Sequence, residues 1–133
     1  MPIELLELLP GHRFTIYAIC LRGDCATKEF LEQAESQNKD EADSMLALLN
    51  WTAQSGPPRN KEKCRNVGDG IYEFKAKGLR ICWFYDAGRM IICSHGFCKG
   101  TQKVQNRELS QGRKTRDEYF AAKNAGPIPI KKP

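Results

Sequence analysis

The chain has 133 residues, 28% of them charged and 41% hydrophobic, which suits one domain built round one core. No apolar run approaches the ~20 residues of a membrane span, and Met1 to Pro10 carries Glu4 and Glu7 with no basic residue, so a cytoplasmic protein with no secretory leader is expected. The net charge of +5 hides an asymmetry: residues 1–58 hold four Lys/Arg against nine Asp/Glu, whereas residues 59–133 hold 17 against seven. The second half therefore suits an anionic partner, most economically nucleic acid; a solvated basic face is the alternative.

Pro2 to Leu9 predicts a short helix with Leu5, Leu6 and Leu9 on one side, ended by Pro10-Gly11. Phe14 to Leu21 (FTIYAICL) is rich in strand formers and predicts the first core strand. Thr27 is placed to cap a helix running to Ser36, and Asp40 to start a second running to Gln54. Phe30, Leu31 and Ala34 share one face of the first helix; Met45, Leu46, Leu49 and Ala53 share one face of the second, with Trp51 at its edge. These side chains read as core packing. Gly56-Pro57-Pro58 stops the second helix. Residues 57–70 then read as a basic loop carrying Arg59, Lys61, Lys63 and Arg65, either a solvated linker or a contact for phosphate.

Ile71 to Lys103 predicts a three-stranded antiparallel meander. Period-two sorting puts Tyr72, Phe74, Leu79, Ile81, Trp83 and Tyr85 on an apolar face that the helical hairpin would cover. The opposite face collects Glu73, Lys75 and Arg80. Charged residues at strand positions must reach water, so this face is expected to be at least partly open. The third strand, Met90 to Phe97, is apolar on both sides and should be central. Asn106 is placed to cap a last helix to Asn124, poorly amphipathic and expected on the surface. Residues 126–133 read as a disordered or extended tail, and residues 1–10 as an N-terminal extension of a single domain spanning 1–133. The expected architecture is α+β in two layers: a small, mostly antiparallel sheet in the order β-α-α-β-β-β-α, with a helical hairpin on one face. Six cysteines lack any CxxC pair. Reduced thiols and no metal are expected.

The residues Gly56-Pro57-Pro58, Gly70 to Lys75, Arg80 to Tyr85, His95 to Lys103 (HGFCKGTQK) and Arg107-Glu108-Leu109 together resemble the RelE/ParE superfamily of bacterial toxins, in its HigB-like, phage-derived branch. The resemblance implies the toxin of a two-gene toxin–antitoxin module, neutralised by an antitoxin that is often a helix-turn-helix protein. It implies either a ribosome-dependent endoribonuclease that cuts mRNA and inhibits translation, or an inhibitor of DNA gyrase; a non-catalytic, prophage-encoded relative is a further alternative. Function has to be argued from the site, because one fold carries several of these activities.

Cutting RNA without a metal or other cofactor requires a base for the 2′ proton, positive charge for the developing phosphorane and help for the leaving oxygen. Lys75, Arg80, Lys99 and Lys103 match basic positions of the RelE-like active surface. Arg80 and Lys99 are the expected phosphate ligands. Lys75, Glu73 and His95 are alternative bases, Glu73 having an ion pair with Lys75 or Arg80 as its structural role. Lys61, Lys63, Arg65, Lys103 and Arg107 are the expected nucleic-acid contacts. RelE-like nucleases often carry a base-stacking tyrosine after the last basic position; here Val104-Gln105-Asn106 supplies no aromatic residue.

Overall fold

The computed structural model describes residues 2–133; Met1 lies outside the described residues. The chain runs β1 (Ile3–Leu9), β2 (Thr15–Leu21), β3 (Asp24–Cys25), α1 (Ala26–Gln37), α2 (Lys39–Ser55), β4 (Cys64–Gly68), β5 (Ile71–Ala76), β6 (Leu79–Asp86), β7 (Met90–Cys98), α3 (Gln102–Ala125) and β8 (Ile130–Lys131). The strands form one sheet in the order β4-β5-β6-β7-β2-β1-β8, with β3 folded back on β2. Pairing is antiparallel except where β2 meets β7 and β8 meets β1. The architecture is α+β, a mixed eight-stranded sheet with three helices.

The meander has the expected parity. Phe74, Ile81 and Trp83 are fully buried against Met45, Leu49 and Ala53 of the α1–α2 hairpin. Phe74, Trp83 and Tyr72 stack at centroid separations of 4.7–4.8 Å, a geometry that adds to burial itself. Asn38 joins the two helices. Its N–H caps α1 by donating to Ala34 O at 2.8 Å, and its Oδ1 accepts from Glu41 N at 3.2 Å to start α2. Helix α1 begins at Ala26 with Cys25 at its N-cap and no side-chain cap, so Thr27 lies inside its first turn, buried, rather than capping it. Gly96 lies where α1 crosses β7. A Cβ there would meet the Phe30 ring at 2.1 Å, so only glycine permits this approach.

The second face is not open. Helix α3 covers it, burying Gln105, Leu109, Gly112, Thr115 and Tyr119. A second core lies beneath, built from Ile3, Leu5, Ile19, Ile71, Cys82, Phe84, Ile92 and Phe97. Two layers were expected; the sheet is sandwiched between the hairpin and α3. The buried stripe recurs every three or four residues but is mostly small or polar, so its periodicity escapes a hydrophobicity reading. Helix α3 is capped by Thr101, whose Oγ1 accepts from Val104 N at 3.3 Å, not by Asn106. Tyr119 anchors its far half by donating to Asp86 Oδ2 at 2.6 Å, and Lys123 pairs with the same carboxylate at 2.8 Å.

The first ten residues also differ from expectation. Residues 3–9 form a strand, not a helix, between β2 and β8. Their leucines fit both periods, and the free side of β2 decides between them: Leu5 pairs with Ile19 and Leu6 with Ala18, on opposite faces, all four buried. The tail is not wholly free either, since Ile130 and Lys131 pair in parallel with Leu5 and Leu6. The basic loop contributes a strand, β4, to the sheet edge. Cys20 and Cys25 form a disulfide instead of two reduced thiols. A two-residue turn, Arg22-Gly23, with positive φ at both positions, sets the cysteines opposite one another in register. Trp51 is 52% exposed, not core. No helix of the described residues is long and apolar enough to cross a membrane.

Candidate nucleic-acid interface

Register places four side chains in one row across the α3 face. Arg65 of β4 pairs with Glu73 of β5, Glu73 with Cys82 of β6, and Cys82 with His95 of β7. Helix α3 lies over this row. Gly112 sits on Cys82, where an added Cβ would come within 2.2 Å of Sγ. Gln105 and Glu108, one turn apart, reach down on either side.

Glu73 is fully buried. It accepts a hydrogen bond from Gln105 Nε2 and one from Arg65 Nε at 3.3 Å. Its expected ion pair with Lys75 or Arg80 is therefore made with Arg65 instead. A carboxylate so enclosed holds Arg65 and Gln105 in place and has no path to a substrate proton while α3 is docked. Arg65 keeps 42% of its side chain exposed, so its guanidinium spans from the buried acid to solvent.

His95 stands at the other end of the row. Its Nδ1 is 2.8 Å from Ser94 Oγ. Glu108 Oε1 is 3.3 Å from Nε2, an ion-pair approach without hydrogen-bond geometry. Burial pushes the imidazole pKa below its ordinary value, with the Glu108 carboxylate opposing. The side chain is 14% exposed, but Nε2 itself is buried beneath α3, so His95, like Glu73, has no path to a substrate proton while the helix is docked. Between these ends, burial raises the Cys82 thiol to about 12; it packs and does not react.

Arg80 belongs to the next row, paired with Lys75 on one side and Phe97 on the other. It is only 7% exposed. Its Nη1 donates to Lys77 O at 2.7 Å and Leu79 O at 2.9 Å. The guanidinium thus closes the β5–β6 turn, a buried structural position rather than the phosphate position expected of it. Lys75 is half-buried and donates to Lys61 O at 3.3 Å. Lys61, Lys63, Lys99, Lys103 and Arg107 are exposed. Lys99 N donates to Gly78 O at 2.8 Å, which fixes the start of the β7–α3 connection beside the β5–β6 turn. The structure thus brings Glu73 to Arg65 and Lys75 to Lys61, and it turns Arg80 away from both.

A family model for phage derived protein Gp49-like matches residues 32–117. The chain belongs to this family. No curated protein matches it. In this Gp49-like protein the matched segment contains the entire row, the three segments that supply the exposed cations, and α3 as far as the residues that cover them; β1, β2 and β3 lie outside it. Among the described residues no three His, Cys, Asp or Glu side chains converge as a metal site would require. The Gp49-like interface can bind anions through its exposed cations. Gln105 and Glu108 were missed from sequence. The signal was present in the spacing Gln105–Leu109–Gly112, which continues the face that Tyr119 anchors.

Proposed function

We propose that this Gp49-like protein is the toxin of a toxin–antitoxin module, of the RelE/ParE fold, that cleaves mRNA on the ribosome without a metal. The single observation that carries the reading is the site's composition: β4, the β7–α3 connection and α3 all present exposed cations within the segment that the family model matches. The 2′-OH attacks the adjacent phosphorus and its proton passes to solvent. Lys99 and Lys103 neutralise the equatorial oxygens, Lys103 standing in for the Arg80 that sequence paired with Lys99. The bond to the 5′ oxygen breaks and that oxygen takes a proton from solvent, leaving a cyclic phosphate and a 5′-OH. Arg65, held by Glu73, steers the backbone, with Lys61, Lys63 and Arg107 as outer contacts. An antitoxin neutralises the protein by covering these cations.

The test is ribosome-bound message incubated with purified protein, with the new 5′ ends mapped by primer extension. Cleavage is expected, and Lys99→Ala with Lys103→Ala should lower its rate about 10²-fold, the usual effect of removing charge that meets a developing oxyanion. Intact message overturns the proposal. Accumulation of cleaved plasmid with gyrase would replace it by the gyrase reading.

A further inference from the structure

The exposed indole of Trp51 lies in a groove that shares Lys63 and Lys75 with the site above. Its volume is about 810 Å³, within the range of small-molecule sites. One wall is α2, where Leu48 and Trp51 lie one turn apart; the other is the loop after α2; the end of β5 closes it. Four cations line it, Arg59, Lys63, Lys75 and Lys77, against one acid, Glu62. Trp51 is half exposed although the rest of its helix buries its large side chains, apart from Leu46.

We propose that this groove is a subsite for single-stranded RNA, in which a base stacks on Trp51 and the flanking phosphates meet Lys63, Lys75 and Lys77. The proposal rests on the reading that the protein acts on RNA, and it names where the strand lies. An aromatic face amid cations is the chemistry of sequence-tolerant single-strand binding. An amphipathic helix is a poorer fit, since it needs several apolar pockets at i, i+3 and i+7, and the groove offers one large apolar surface. The groove is also continuous with the cations of the candidate site. Lys77 precedes Gly78, whose carbonyl accepts from Lys99 N, so a strand leaving Trp51 passes over the β5–β6 turn onto Lys99. The indole thus supplies the stacking surface that the segment after Lys103 lacks.

The test is a fluorescence titration of the full chain with a mixed-sequence oligoribonucleotide of about eight nucleotides, within the footprint of single-strand sites. Trp83 is fully buried, so the quenching reports on Trp51. Saturable quenching is expected, weakening as salt rises. By anisotropy of a labelled strand, Trp51→Ala should bind about tenfold more weakly and Trp51→Phe close to the parent, both melting at the parent temperature. Lys63→Ala with Lys77→Ala should flatten the salt dependence. Absence of quenching, or equal affinity of Trp51→Ala, overturns the subsite. Quenching by an acidic peptide and not by RNA overturns it too, and assigns the groove to a protein partner. If message on the ribosome stays intact while RNA still quenches Trp51, the nuclease reading fails and the subsite stands. Cleaved message with unchanged RNA affinity of Trp51→Ala gives the reverse.

Discussion

Replacing Gly112 by Ala isolates the contact that holds α3 to the sheet. The added Cβ would lie 2.2 Å from Cys82 Sγ and 3.6 Å from Cys82 Cβ, where contacts between heavy atoms settle near ~3.5–4.0 Å. Cys82 is fully buried in a central strand, so the helix must lift or the thiol must leave its rotamer. Such overpacking costs about 1–3 kcal/mol. Helix propensity opposes it, since Ala is better than Gly by about 1 kcal/mol in a helix interior. The net expectation is a loss of about 0–2 kcal/mol. Cys82→Ala alone should also lose stability, by about 1 kcal/mol, for the buried atom removed. In the double variant the new methyl fills the space that Sγ vacates. The two changes should therefore couple favourably by about 1–2 kcal/mol. Urea unfolding of the four proteins, followed by the fluorescence of buried Trp83 with the Cys20–Cys25 bond intact throughout, measures the cycle. If Gly112→Ala is more stable than the parent, or the cycle shows no coupling, the packing of α3 on Cys82 is not as described.

Two further outcomes follow from titrating groups at the α3 contact. His95 titrates below its ordinary 6.5 because burial disfavours the imidazolium; its contribution to stability is complete above 6.5 and is lost as pH falls through the folded value, so denaturant midpoints should drop from pH 7.5 to pH 5.5 and drop less in His95→Gln. Asp86 is raised by burial, but the bonds from Lys123, Tyr119 and Ala87 N outweigh this and leave its carboxyl below the ordinary value; Asp86→Asn should cost about 1–3 kcal/mol at neutral pH, with faster amide exchange in the last turns of α3 and little change in β5.

The meander was legible because alternation is a strong signal where one face is fully apolar. Tyr72, Phe74, Ile81 and Trp83 left no second choice of register. The hairpin followed from its breaks, Asn38 and Gly56. The face beneath α3 was misjudged because Glu73 and Arg80 look like water-facing residues, and nothing local says that one meets Gln105 and the other two carbonyls. Those partners are 32 residues away in one case and within the same turn in the other, and neither kind leaves a periodic trace. Lys99 and Lys103, which sequence placed only at the edge of the third strand, are exposed. Trp51 misled in the opposite sense: a large aromatic at helical spacing is usually core, and only the position of the loop after α2 leaves it in solvent.

The parallel pairing of β2 with β7 bears on the order of assembly. Ile16 meets Ile91 and Ala18 meets Cys93, partners separated by both helices and the whole meander, whereas β4 to β7 are joined by turns of two or three residues. Closing the long loop costs entropy that the short turns do not. The meander can therefore gather first, with one long side of β7 unpaired until β2 arrives, and β1 and β8 can only follow β2. Pulsed hydrogen exchange during refolding should protect Ile81 and Trp83 before Ile16 and Ala18. Simultaneous protection would mean that the chain closes its longest loop in the same step that forms its shortest.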